Sequence, residues 1–202
     1  MKAGVIGVGT MGKNHVRVYS EQKSVDEVHV FDVNTAAAQE IGRQHGAVVH
    51  PTIPALLDAV DAVSVCVPTP LHAPVVREVF NRKRSVLIEK PLAASAAEAA
   101  ALIRTAPPGI VIGVGHIERF NPIIGEIKKI IRAPLYVEMK RHNPASARVT
   151  GSTVVEDLMI HDIDILLSLF SEPGEVHSAG TADVCSVLLK CGDLPVTLSA
   201  SR

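Results

Sequence analysis

The stretch Glu156-Asp157-Leu158-Met159-Ile160-His161-Asp162-Ile163-Asp164 opens a run that continues almost wholly apolar to Phe170. Read as an α-helix, it places Asp157, His161 and Asp164 at i, i+4 and i+7, on one face. Carboxylates and imidazoles cost free energy in a dry place unless something pairs with them. A polar stripe on an oily helix therefore marks a candidate site for acid–base chemistry, because histidine titrates near neutral pH. The alternative is a stripe that faces water, and Glu156 and Asp162 show that polar residues are not confined to it. A second reactive group ends the apolar run Ser85-Val86-Leu87-Ile88 as Glu89-Lys90-Pro91. Pro91 fixes the backbone, through a cis bond if the site needs one, and so aims Lys90. The competing reading is a surface Lys–Glu pair, which contributes little.

The third group is Gly7-Val8-Gly9-Thr10-Met11-Gly12, a G-x-G-x-x-G turn between a β-branched strand (residues 2–9) and a helix reaching about Tyr19. A second strand, residues 28–32, follows, and Asp32 lies 20 residues after Gly12. Strand, glycine turn, helix, strand and acid form the dinucleotide-binding arrangement in its proper context. Gly7 allows the tight turn, Gly9 lets a pyrophosphate approach the backbone, and Gly12 lets helix and strand pack closely. The helix N-terminus offers N–H groups and a positive dipole end to the phosphates, Thr10 and Met11 being its first residues. Asp32 accepts hydrogen bonds from a ribose 2′-hydroxyl and repels a 2′-phosphate, which favours NAD over NADP, with Arg43 as the dissenting charge.

The elements that must position these groups follow a β-α rhythm. Helices are expected over residues 35–45, 53–58, 73–82 and 95–105, and strands over 47–49, 61–67, 85–91 and 110–115. Ser95 and Glu98 form a capping box. The strand at 61–67 ends in Pro68-Thr69-Pro70-Leu71-His72, a stiff loop at the carboxyl end of a strand, where ligands bind in such sheets. Thr69 and His72 are thus candidates to line the cofactor; equally, His72 could cap the next helix. The fold class that follows is α/β, a doubly wound parallel sheet over residues 1–117. Residues 118–202 break the rhythm: a helix capped by Asn121 with Pro122 at its first position, a strand at 135–141, a loop at 142–151 and three strands meeting a Gly192-Asp193 hairpin turn. They read as an α+β domain with an open mixed or antiparallel sheet, expected to be incomplete.

Composition agrees with such a pair. Apolar residues make up 47% of the 202, enough for a substantial core, and Ala, Val and Ile supply it because aromatics are few and Trp is absent. With 20 basic and 21 acidic residues the chain lacks the cationic excess of a nucleic-acid partner. Cys66, Cys185 and Cys191 form no C-x-x-C pair, which argues against disulfides and a structural zinc site and for a reducing, cytoplasmic setting. No metal and no membrane segment are expected.

In order along the whole chain, these residues resemble the glucose-fructose oxidoreductase / inositol dehydrogenase (Gfo/Idh/MocA) family. The marks are the Gly7-Gly9-Gly12 turn with Met11, Pro68-Thr69-x-x-His72, Glu89-Lys90-Pro91, Gly115-His116 through Arg119-Phe120-Asn121-Pro122, and Asp157-x-x-x-His161. The resemblance implies that Lys90 sits beside the reacting hydroxyl and the nicotinamide, with Asp157 and His161 as the proton-handling pair. It implies an NAD-dependent oxidoreductase acting on a sugar, cyclitol or sugar nucleotide, UDP-N-acetylhexosamines included. It further implies a homodimer or tetramer built through the second sheet. Either His161 or Lys90 serves as immediate base; Asp157 orients the imidazole. Thr69, His72, Glu89 and Pro91 join the cofactor set. His116, Arg119, Asn121, Arg141 and Asp164 are substrate-contact candidates. The competing functions are an NAD-dependent glycosidase of the same fold and a non-catalytic NAD-binding sensor.

Overall fold

The computed structural model describes residues 1–143 and 152–202. Most of the expected loop at 142–151 therefore lies outside the described residues. The chain divides into two compact units, Met1–Gly115 and His116–Arg202.

In the first unit β1 (Lys2–Ile6), α1 (Thr10–Glu21), β2 (Glu27–Phe31), α2 (Thr35–His45), β3 (Val48–Val49), α3 (Ile53–Ala59), β4 (Ala62–Val65), α4 (His72–Asn81), β5 (Ser85–Ile88), α5 (Ala96–Arg104) and β6 (Ile112–Val114) alternate. The strands form one sheet in the order β3-β2-β1-β4-β5-β6. Its strands pair in parallel throughout. Alternate side chains feed two cores, as the two-residue period of a strand requires. On one face Val5, Val28 and Val30 meet Val16 of α1 and Ile41 of α2. On the other Ile6, Val63, Val65, Val86 and Ile88 meet α3, α4 and α5 through Leu56, Leu57, Val76, Phe80 and Leu102.

Local signals explain the helix ends. Asn34 accepts from Ala37 N–H and Thr52 from Ala55 N–H, while Gly46 closes α2 in the left-handed region at φ 68°. Ser95 caps α5 by accepting from Glu98 N–H. The expected capping box is shifted by one residue, because Glu98 reaches back to Ala94 N–H rather than to Ser95.

The register decides where chemistry can happen. Ile6 lies level with Phe31 and Val65, Val65 with Ile88, and Ile88 with Val114. The next residue of each strand is therefore Gly7, Asp32, Cys66, Glu89 and Gly115: a single row along the carboxyl edge. The strand order reverses between β1 and β4, which is where such sheets open a crevice.

In the second unit α6 (Pro122–Ile130) is capped by the Asn121 side chain, which accepts from Ile123 N–H. β7 (Val137–His142), β8 (Pro173–Gly180), β9 (Val184–Cys191) and β10 (Leu194–Ser201) form a sheet of order β7-β10-β9-β8. β7 and β10 run parallel and the other pairs antiparallel, so the sheet is mixed. β9 and β10 make the expected hairpin across Gly192, at φ 61°. Val196, Leu198 and Ala200 alternate inward along β10 and pack with Val154, Met159 and Leu166 of the helical segment that crosses the sheet. That segment is α7 (Ile160–Leu169), preceded without a break by one π-helical turn, Val155–Met159. The expected uninterrupted α-helix is thus corrected: Asp157, His161 and Asp164 do not keep the angular spacing of a single α-helical face.

Candidate active site

The carboxyl edge of the first sheet opens into a cleft of about 710 Å³. It is lined by Gly7, Gly9, Thr10 and Met11 of the glycine turn, by Asp32 and Val33, by Thr69 and His72, and by Glu89 and Lys90. Every one of the sequence-predicted cofactor residues except Gly12 and Pro91 faces this space.

The glycine turn is shaped for close approach. Gly7 sits at φ 89°, and a Cβ there would meet the Cys66 backbone at 2.9 Å. Gly12 lies beneath the turn, where a Cβ would strike the Gly7 carbonyl oxygen at 1.9 Å. A Cβ on Gly9 would meet nothing within 4 Å, so its open side faces the cleft. α1 starts on Gly9 without a side-chain cap, leaving first-turn N–H groups for an anion. These features fit a dinucleotide pyrophosphate.

Asp32 Oδ2 accepts from Val8 N–H at 2.7 Å and Oδ1 from Asn34 N–H at 2.8 Å. The acid thereby braces the glycine turn as well as lining the crevice. Arg43, the residue that weakened the case for NAD, is exposed on α2 and pairs with Glu40 three residues earlier. The residue after Asp32 is Val33, uncharged and 91% exposed.

His72 does not cap α4. It is the helix's first residue and is 1% exposed; its Nδ1 lies 2.9 Å from the Pro91 carbonyl and its Nε2 2.8 Å from that of Val67. It ties the loop after β4 to the loop after β5. The Lys90–Pro91 peptide is cis.

Glu89 is also more than a cofactor contact. It is 5% exposed; Oε1 lies 2.9 Å from His15 Nε2, and Oε2 accepts from Lys90 N–H at 3.2 Å. His15 Nδ1 lies 3.0 Å from Ser64 Oγ, which lies 2.6 Å from Tyr19 Oη. Burial would raise the Glu89 carboxyl, but the His15 hydrogen bond and charge, with Lys90, outweigh it and hold the group below the usual carboxylate range. Burial pushes the Tyr19 hydroxyl up, and burial with the Glu89 charge pushes the Cys66 thiol up. His15, Tyr19 and Ser64 escaped the sequence reading. The available signal was parity: Ser64 stands between two core valines, so it must face α1.

In the second unit Asp157 and His161 are half-buried, one on the π-helical turn and one at the start of α7. Four substrate-contact candidates have other employment. Arg119 pairs with Asp164 through Nε at 3.0 Å and through Nη2. Arg141 forks onto Asp162, with Nη2 at 2.7 Å from Oδ1 and Nε at 3.2 Å from Oδ2. The carboxylates raise both guanidinium groups. Any substrate anion would meet arginines already neutralised. Asn121 serves as the α6 cap, and its amide points to Glu118 at 3.4 Å. His116 Nδ1 is buried and has no hydrogen-bond partner among the described residues. Among the described residues no group of three or more His, Cys, Asp or Glu could hold a metal ion.

The profile of the Gfo/Idh/MocA oxidoreductase family with an NAD-binding Rossmann fold matches residues 1–116. UDP-N-acetylglucosamine 3-dehydrogenase of Acidithiobacillus ferrooxidans is 37% identical over 187 residues, 91% of this chain and 59% of that protein. Inositol 2-dehydrogenase of Mycolicibacterium smegmatis is 33% identical, over 85% of this chain and 53% of that protein. The chain thus spans under two thirds of the length of either relative. Among solved structures, the A. ferrooxidans enzyme superposes with a TM-score of 0.91 over 100% of this chain and 69% of its own. Myo-inositol dehydrogenase from Lactobacillus casei, in complex with NAD(H) and myo-inositol, does so at 0.89 with 25% identity, over 100% of this chain and 67% of its own.

Proposed function

Because the chain belongs to the Gfo/Idh/MocA family, we propose that it is an NAD-dependent oxidoreductase moving a hydride between a secondary hydroxyl of a sugar-like substrate and nicotinamide. One observation carries this reading: the sheet register brings the glycine turn, Asp32 and Lys90 to a single cleft. A sensor needs the first two but not the third.

The bound nicotinamide supplies a hydride acceptor. The remaining work falls to this chain. The first-turn N–H groups of α1 and the open side of Gly9 bind the pyrophosphate, and Asp32 takes the ribose hydroxyl. Lys90 stabilises the negative charge that develops on the substrate oxygen. His161 takes the proton from that oxygen as general base, and Asp157 orients the imidazole and stabilises its cation. The outward face of the second unit's sheet, with Val184 and Leu188 half exposed, is the surface through which subunits would pair. Three free thiols suit a reducing cytoplasm, and no described helix is long and apolar enough to cross a membrane.

For the substrate class we infer a UDP-linked N-acetylhexosamine ahead of a free cyclitol, on the 37% likeness to the UDP-N-acetylglucosamine 3-dehydrogenase. The test is NADH absorbance with NAD and a panel of UDP-sugars and inositols. Turnover with a UDP-sugar, lost about a thousandfold in Lys90→Ala and His161→Ala while NAD still binds, is the expected result. Free-sugar release without net NADH points to a glycosidase. NAD binding with no turnover on any member of the panel overturns the proposal.

A further inference from the structure

Two side chains on α1, His15 and Tyr19, stand one turn apart and face the same way. Beneath them lie Ser64 of β4 and Glu89 at the end of β5, both on the α1 face because Val63, Val65, Val86 and Ile88 occupy the other. The result is a continuous chain, Tyr19 Oη, Ser64 Oγ, His15 Nδ1 and Nε2, Glu89 Oε1, at 2.6, 3.0 and 2.9 Å, that ends on the carboxylate holding Lys90 N–H. Gly115 lies against Glu89: a Cβ there would meet Oε1 at 2.9 Å, so the carboxylate occupies the space a side chain would take.

This chain can be satisfied in two charge states. His15 Nε2–H donates to Glu89 in both. With His15 neutral, Ser64 O–H donates to Nδ1 and Tyr19 O–H donates to Ser64 Oγ. With His15 protonated, Nδ1–H donates to Ser64 Oγ and Ser64 O–H turns to Tyr19 Oη. Each nitrogen and oxygen of the chain keeps at least one hydrogen bond in either arrangement. The charged or titratable groups facing it are Tyr19 from α1, Cys66 from the end of β4 and Lys90 beyond β5.

We propose that His15 is a positioning residue for Lys90: acting through Glu89, it fixes the carboxylate beneath the lysine backbone and sets the negative charge that the Lys90 ammonium feels. Ser64 and Tyr19 steady the far side of the imidazole. The proposal rests on the reading of Lys90 as the group that stabilises the substrate oxygen.

The test uses His15→Leu, His15→Gln, Ser64→Ala and Glu89→Gln in the whole protein, with two readouts. The first is independent of turnover: lysines are reductively methylated with a ¹³C label, and the Lys90 signal, assigned by its absence in Lys90→Arg, is compared between variants. Its chemical shift is expected to move in Glu89→Gln, which removes the anion, and in the opposite sense in His15→Leu, which leaves the anion uncompensated. The second is kinetic. His15→Leu is expected to lower kcat about tenfold with the Kd for NAD unchanged. His15→Gln, which keeps an N–H for Glu89, restores most of that rate, and Ser64→Ala lowers it less than His15→Leu does. Should His15→Leu not fold, Glu89→Gln decides. A Lys90 signal unmoved by either His15→Leu or Glu89→Gln overturns the proposal. Loss of turnover in every protein, wild type included, with the signal moving as stated, leaves the positioning role standing and instead sinks the assigned reaction.

Discussion

Asp32 Oδ2 holds the backbone N–H of Val8 at 2.7 Å, tying the acid at the end of β2 to the middle of the glycine turn. Shape of the phosphate cradle and choice of cofactor therefore share one carboxylate. Asp32→Ala should weaken NAD binding about tenfold or more, the loss of at least one charge-assisted hydrogen bond, and should narrow the NAD-to-NADP preference by removing the repulsion. Fluorescence titration with both dinucleotides measures this. An unchanged preference would mean that something other than Asp32 excludes the 2′-phosphate.

Gly9 and Gly12 belong to one motif but should fail differently. A Cβ on Gly12 would strike the Gly7 carbonyl, whereas one on Gly9 enters open space. Gly12→Ala should lower the melting temperature by several degrees, a destabilisation of about 2 kcal/mol or more. Gly9→Ala should melt like the wild type and lose NAD affinity, because its methyl occupies the pyrophosphate's place. Melting curves with and without NAD separate the two.

The Arg141–Asp162 fork joins β7 to α7 with Asp162 buried. Asp162→Ala leaves a guanidinium without its partner and should destabilise by about 2–3 kcal/mol; the figure is below that for a fully buried pair because the Arg141 side chain is 29% exposed. Replacing both, as Arg141→Met with Asp162→Leu, should recover most of that. Urea midpoints for the two proteins test the order.

Glu89 gives a pH prediction with a definite sign. Its folded carboxyl lies below the ordinary value of 4.5, held there against burial by His15 and Lys90. The stability it contributes is present above that value and is lost as pH falls through the lower, folded one. As pH falls below about 4.5, the wild type should lose more urea resistance than Glu89→Gln. Parallel losses would show that the carboxylate is not preferentially ionised in the folded state.

Much of this was legible in the residues themselves. Asn34 and Gly46 bracket α2 at the expected bounds, and the glycine turn, Asp32, Glu89 and Lys90 converge on one cleft because strand ends in a parallel sheet must. What escaped has a common physical cause: it depends on neighbours far apart in the chain. The partner of Glu89 is 74 residues away, and only the sheet order brings α1 over β5. Arg119 and Arg141 read as free cations until Asp164 and Asp162, 45 and 21 residues on, come to meet them. His72 read as a possible cap because its loop looks like a helix start; its two carbonyl partners come from separate strand ends. The stripe of Asp157, His161 and Asp164 assumed a constant helical pitch.

That pitch changes at Val155–Met159, and the change amounts to a phase slip. A π-helical turn closes its hydrogen bond one residue later than an α-helical one, so it stores the equivalent of a single inserted residue without a loop. Each residue of an α-helix advances by about 100°, so everything upstream of the slip is aimed roughly a quarter-circle from the bearing an unbroken helix would give it. Removing one residue between 155 and 159 would make a smoother helix and swing Asp157 away while His161 stays in place. A shortened protein that melts no lower than its parent yet no longer turns over would reveal a segment in which regularity has been traded for aim.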